Sequence, residues 1–190
     1  MSNDKTALRS RLLAERRALG APERAAAAGA LARRATALVP PGGTVAAYVS
    51  VGAEPGTRPL LRALAGAGVR VLLPVLLPDN DLDWAPYEDD EHLAPAALGL
   101  LEPTAPRLGP DAVLGADVVL LPGLAVDRHG VRLGRGGGSY DRVLARLARE
   151  GARPLLATLL YPTEVLPAVP AEPHDLPVHA VVTPEGVTRF

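Results

Sequence analysis

The stretch "ADVVLLPGLAVDRHGVRLGRGGGSYDRVLARLARE", residues 116–150, decides the fold. Its first seven residues are a short apolar run of the kind that forms a buried strand. Its last twelve, "SYDRVLARLARE", carry apolar residues at helical spacing. Between the two lie six glycines, Gly123, Gly130, Gly134, Gly136, Gly137 and Gly138, the last four beside Arg132 and Arg135. A strand passing through a glycine-rich loop into an amphipathic helix is half of a βαβ unit, and "PLLATLL", residues 154–160, reads as its second strand.

The same alternation extends outward in both directions. "TVAAYVS" (residues 44–50), "RPLLRALAGAG" (58–68) and "VRVLLP" (69–74) read as strand, helix and strand, and "VHAVVT" (178–183) as a last strand. Residues 6–19 suit an amphipathic helix in which Leu8, Leu12 and Leu19 form the apolar stripe and Lys5, Arg9 and Arg16 form a basic flank. Pro22 suits the first turn of a second helix, which "PPGG" at residues 40–43 ends. The expected fold is a three-layer α/β sandwich, Rossmann-like, with a mostly parallel sheet and helices on both faces, built as one domain over residues 1–190. The proline-rich stretches at residues 78–86 and 103–110 read as loops.

Composition narrows the function. The 190 residues carry a net charge of −1, no cysteine and only 3% aromatics, which excludes a disulfide framework and a thiolate nucleophile and argues against a nucleic-acid surface. No apolar run reaches the ~18 residues of a membrane span, and "MSNDKTALRSR" lacks the apolar core of a signal peptide. A soluble, cytoplasmic, monomeric protein acting on a small molecule is expected. In parallel sheets ligands bind beyond the carboxyl ends of strands, here at residues 50–57, 74–87, 122–140 and 161–175. The glycine-rich loop is neither a P-loop nor a dinucleotide fingerprint, but its flexible backbone and arginines suit an anion such as phosphate. A tight turn without a ligand is the alternative.

The run "LLPGLAVDRHGVRLGRGGGSYDRVL", residues 120–144, resembles the signature of the 5-formyltetrahydrofolate cyclo-ligase family, with PGLAFD, G-x-RLG and a G-x-G element ending in YYD. The resemblance extends to "KTALRSRLLAERRAL", "VAAYVSVGAEPGTRPLL", "VLLP", "GLLEP" and "PAEPHDLPVHAVVT", and so spans nearly the whole chain in order. Two positions depart from the pattern: Ser139 replaces the first aromatic of YYD, and Gly137 stands where some members carry lysine. The resemblance implies ATP- and magnesium-dependent closure of 5-formyltetrahydrofolate to 5,10-methenyltetrahydrofolate, releasing ADP and phosphate.

It also implies roles. Lys5, the only lysine, and Arg9 match a K-x-x-x-R nucleotide contact, although the pair also suits a solvated helix face. Gly134, Arg135, Gly136, Gly137, Gly138, Ser139, Tyr140, Asp141 and Arg142 form the nucleotide-binding stretch. Arg132 and Arg135 are expected to stabilise transition-state charge, with Tyr140 beside them contacting substrate or nucleotide. Arg128 and Arg142 read equally well as surface residues. Asp141 and Asp175 match two magnesium-site aspartates; a helix first turn and a loop cap are the alternatives. His129 and His174 read as loop residues. Glu54 matches a pterin-side glutamate, Val49 an apolar position of the same site, and Trp84, placed in a strand-end loop, suits stacking on the pterin or hairpin packing. Glu102 matches the family without a chemical role. A sugar-phosphate isomerase of related architecture is disfavoured by Lys5 and Arg9, and a non-catalytic nucleotide- or folate-binding module by Glu54 and Asp175.

Overall fold

A computed structural model describes residues 2–172 and 175–190; His174 lies outside them. The chain runs α1 (Ser2–Ala18), α2 (Ala21–Thr36), β1 (Thr44–Ala46), α3 (Arg58–Gly66), β2 (Arg70–Leu76), β3 (Leu82–Pro86), β4 (Leu93–Pro95) and β5 (Leu101–Pro103). It continues with β6 (Val118–Leu121), β7 (Ala125–Asp127), β8 (Arg132–Leu133), α4 (Ser139–Arg149), β9 (Leu155–Leu159), β10 (Val165–Leu166), β11 (Ala180–Val182) and β12 (Val187–Arg189). Among the described residues no helix is long and apolar enough to cross a membrane.

The main sheet has the order β12-β11-β9-β6-β1-β2-β3; its five inner strands are parallel and its two edge strands antiparallel. Alternate side chains of each inner strand enter different cores. Val45, Val71, Leu73, Val118 and Leu120 pack with α2 and α3, through Leu31, Ala35, Leu60, Leu61 and Leu64. Ala46, Leu72, Val119, Leu121 and Val181 pack with α4, through Val143, Leu144 and Leu147. The period of two along the strands therefore produces the expected helices on both faces.

From β1 the chain builds outward through β2 to β3, then returns to the other side of β1 with β6 and builds the opposite way. This is the topological switch point of an open α/β sheet, where a crevice opens beyond the strand ends. Both of the loops with the strongest chemistry start there: the Glu54 loop after β1 and the glycine-rich loop after β6.

Several short elements differ from expectation. The glycine-rich segment contains β7 and β8, β7 pairing with both β8 and β10 in a separate sheet, and α1 packs on that sheet through Leu12 against Leu124, Ala125 and Leu133. The proline-rich stretch at residues 78–86 contains β3, and β4 and β5 form a hairpin between it and the stretch at 103–110. The β2–β3 turn brings Asn80 to φ 66, a left-handed position that asparagine tolerates. Hence Trp84 lies within a strand and not in a strand-end loop: it is fully buried against the α4 core and offers no face for stacking. The hairpin alternative is the correct one. Trp84→Ala should cost about 3–5 kcal/mol in urea unfolding, whereas Trp84→Phe should fold and keep the chain's ligand affinity.

Candidate functional site

The glycine-rich loop is shaped by its own backbone and by α1. Gly136 and Gly138 sit at φ 97 and φ 78, conformations that side-chain-bearing residues rarely adopt, and Gly138 is the residue from which α4 starts. The loop thus delivers the N-terminal amides of an eleven-residue helix to the crevice, an arrangement suited to anions. Upstream, the buried Asp127 carboxylate accepts from the amides of His129 at 2.8 Å and of Val131 and Val169 at 3.1 Å, fixing the hairpin that leads into the loop.

Facing it is the loop after β1. Ser50 and Thr57 exchange hydrogen bonds of 2.9 and 3.1 Å between backbone amide and hydroxyl, and the Thr57 hydroxyl donates to the Tyr48 carbonyl at 2.7 Å. The closed loop holds Glu54 with one carboxylate oxygen accepting from the Val51 amide at 2.8 Å and the other from Arg135 at 3.2 Å. Its side chain is only 10% exposed.

A cavity of about 230 Å³ lies between these loops. Val49, Glu54, Arg132, Arg135, Tyr140 and Asp141 line it together with the backbone from Gly134 to Ser139, whereas Lys5, Arg9 and Asp175 do not. Its remaining walls are apolar, from Leu76, Leu82, Leu98, Leu100 and Leu101. Tyr48 also lines it and was not anticipated: in the sequence it reads as one more strand residue. The Tyr140 hydroxyl is buried with no hydrogen-bond partner among the described residues. Burial raises the Tyr48 and Tyr140 hydroxyls above their ordinary values, and the Glu54 carboxylate adds to both shifts, so each remains a proton donor at neutral pH.

Arg132 is largely buried, donating to the Pro122 carbonyl at 2.9 Å and to Asp141 at 2.8 Å. Burial pulls its guanidinium down from the ordinary arginine value, opposed by Asp141, Tyr140 and Asp175. Asp175 accepts from Lys5 at 3.1 Å and from the Glu172 amide at 2.8 Å. The two aspartates therefore both act on one arginine. Among the described residues no three acidic, histidine or cysteine groups gather as a metal cage. Two carboxylates beside a phosphate-suited loop do fit a hard cation whose other ligands are phosphate oxygens and water.

Arg9 approaches the loop from α1, its Nε donating to the Gly134 carbonyl at 3.0 Å. Arg142 does not line the cavity; half-exposed, it faces Asp79 across the β2–β3 turn at 3.8 Å, because its position on α4 points it along that hairpin. Arg128 donates to the Pro167 carbonyl at the surface. Glu102 has a structural task, accepting from the Leu76 amide at 2.9 Å at the end of β2.

The basic flank assigned to α1 needs one correction. Arg16 is buried, sharing the inward face with Leu12. Lys5, Arg9, Leu12 and Arg16 are spaced four, three and four apart, which is one helical stripe; that spacing was the available signal. Arg16 donates to Glu164 at 2.5 and 2.9 Å and to the Gly123 carbonyl at 2.6 Å. Glu164 also accepts from the Tyr161 amide, and the Tyr161 hydroxyl reaches the Ala53 and Glu54 carbonyls at 3.3 and 3.4 Å. One buried pair thus links α1 to the roots of both site loops.

Burial holds Glu164 above the usual carboxylate range even with Arg16 opposing it. Arg16→Met should cost about 3–5 kcal/mol in urea unfolding at neutral pH, since Glu164 is left buried and unpaired. An acid whose folded pKa lies above its unfolded value gains folding stability as pH falls through the folded value, so the deficit should narrow on acidification to about pH 5.

Comparison with known proteins adds the lineage. Residues 1–184 match the model of the 5-formyltetrahydrofolate cyclo-ligase family. The 5-formyltetrahydrofolate cyclo-ligase of Mycolicibacterium smegmatis is 42% identical over 186 residues, covering 95% of this chain and 94% of the relative. That of Escherichia coli is 34% identical over 149 residues, covering 77% and 81%. The structure of Aquifex aeolicus 5,10-methenyltetrahydrofolate synthetase superposes with a TM-score of 0.76 at 28% identity, over 97% of this chain and 92% of that one. A Mycoplasma pneumoniae synthetase shares the fold, with a TM-score of 0.74 at 21% identity over 95% and 99% of the two chains. With its sequence matched over nearly the whole chain and its glycine loop and Glu54 facing each other at the switch point, the chain belongs to the 5-formyltetrahydrofolate cyclo-ligase family and is an enzyme of that ligase class.

Proposed function

We propose that the chain closes 5-formyltetrahydrofolate to 5,10-methenyltetrahydrofolate, with ATP as co-substrate and magnesium as the metal. The observation that carries this reading is one cavity lined both by an anion cradle and by Glu54, an acceptor suited to the amino and ring N–H edge of a pterin. A formamide oxygen is a poor leaving group. In the proposed reaction that oxygen attacks the γ-phosphorus of ATP and ADP departs. N10 then adds to the activated formyl carbon and gives up its proton to solvent, and the carbon–oxygen bond breaks to release phosphate.

The chain's residues divide this work. The amides of Gly136 to Tyr140 and the guanidiniums of Arg132 and Arg135 hold phosphate oxygens and oppose charge developing on them. Arg132 is held rigidly by Pro122 and Asp141, so its orientation requires little reorganisation. Arg9 steadies the loop through the Gly134 carbonyl, and Lys5 keeps Asp175 in place. Glu54 and the Tyr140 hydroxyl orient the folate, Val49 lies against it, and the apolar walls exclude water. Magnesium, when bound, neutralises triphosphate charge, and Asp141 and Asp175 are the residues that would hold it.

The direct test is ultraviolet absorbance of the methenyl product from 5-formyltetrahydrofolate and magnesium, with and without ATP. A rise that needs both ATP and metal is expected; ATP binding without any rise would favour a non-catalytic nucleotide-binding module. Asp141→Asn should raise the magnesium concentration needed for half-maximal rate by about tenfold while leaving the unfolding midpoint nearly unchanged. Glu54→Ala should weaken folate binding by at least about tenfold, read by titration calorimetry, with a smaller effect on ATP.

A further inference from the structure

Leu98 violates two local preferences at once. It lies at the tip of the hairpin joining β4 to β5, with φ 59 and ψ 21, and Gly99 follows at φ 73. The Leu100 amide donates to the Ala97 carbonyl at 3.1 Å and the Ala96 amide to the Leu100 carbonyl at 2.9 Å, closing a two-residue turn of the I′ kind. Asparagine, aspartate or glycine suits the first of those left-handed positions, whereas leucine places its Cβ against the following carbonyl. The same leucine is 82% exposed, the most exposed large hydrophobic residue among those described. Yet it lines the site cavity, so it stands at the rim.

The base of this hairpin is fixed next to the cavity, because Glu102 on β5 accepts the Leu76 amide at 2.9 Å. Leu100 and Leu101 continue the apolar wall inward from the tip. A strained, solvent-facing leucine gains its compensation only when an apolar body covers it. The cavity sets what that body is: a ligand with apolar walls around it and polar groups confined to the Glu54 and glycine-loop side.

We infer that Leu98 is a substrate-specificity residue, presented by its left-handed turn as the apolar cap over the ring system of the folate. This rests on the folate reading above. Leu98→Asn and Leu98→Gly both suit the turn, so each should raise Tm, by about 2–4 °C. Each should also raise KM for 5-formyltetrahydrofolate about tenfold, with KM for ATP and kcat retained. A purely structural role for Leu98 predicts no such opposition between stability and folate affinity. If wild-type protein gives no methenyl product, the folate reading fails. If wild-type protein turns over and both variants keep its KM for folate, the cap is overturned while the folate reading stands. Equal increases in both KM values would also overturn it, as a general disturbance of the cavity. So would a wild-type dimer in sedimentation that Leu98→Asn dissociates, since a second copy of the chain would then cover this residue.

Discussion

The buried Arg16–Glu164 pair is the constraint on which the site depends. A guanidinium out of water is tolerable only when its charge and donors are met, and Arg16 places three hydrogen bonds on Glu164 and the Gly123 carbonyl. Gly123 lies just past β6, where the glycine-rich segment begins, and Tyr161, beside Glu164, reaches the Glu54 loop. One ion pair thereby fixes the angle of α1, and with it the approach of Arg9 to Gly134. The stripe on α1 is ionic at both ends and apolar at Leu12, so the helix is clamped at one end and serves the site with the other.

Topology supplies the rest. Reversal of strand order at β1 and β6 opens a crevice that neither strand can fill, and the two loops leaving those strands face one another across it. Their chemistries differ for physical reasons. One loop is stapled by Ser50 and Thr57, which suits a single well-placed carboxylate; the other gives up side chains so that amides and two arginines can face an anion. Polar groups collect where these loops meet, and the leucines supply the remaining walls.

Much of this was legible in the sequence where the signal is local. Apolar runs marked β1, β2, β6, β9 and β11, and the glycine run before residue 139 marked a loop feeding a helix, because such requirements act within a few residues. Elements that depend on distant partners were not legible. The two residues of β8 become a strand only because Ala125 and Val126 lie beside them, and β10 because it meets β7. Trp84 was misplaced because prolines at 78 and 86 flank a hairpin that tolerates them at its turn and strand end. Arg16 was legible and misread: its spacing from Leu12 puts it on the buried face, but its partner lies 148 residues away. Leu98 gave no signal, since a left-handed leucine is visible only in the backbone.

The Arg135–Glu54 ion pair gives the cavity a thermodynamic character beyond its shape. The pair spans the two loops, so each half of the cavity supplies the other's counter-charge. A ligand that draws Glu54 away leaves the Arg135 guanidinium uncompensated and more receptive to an anion, and an anion that draws Arg135 away frees Glu54 in return. Linkage makes the two effects equal. The pair thus couples the charge balance of one half of the cavity to that of the other.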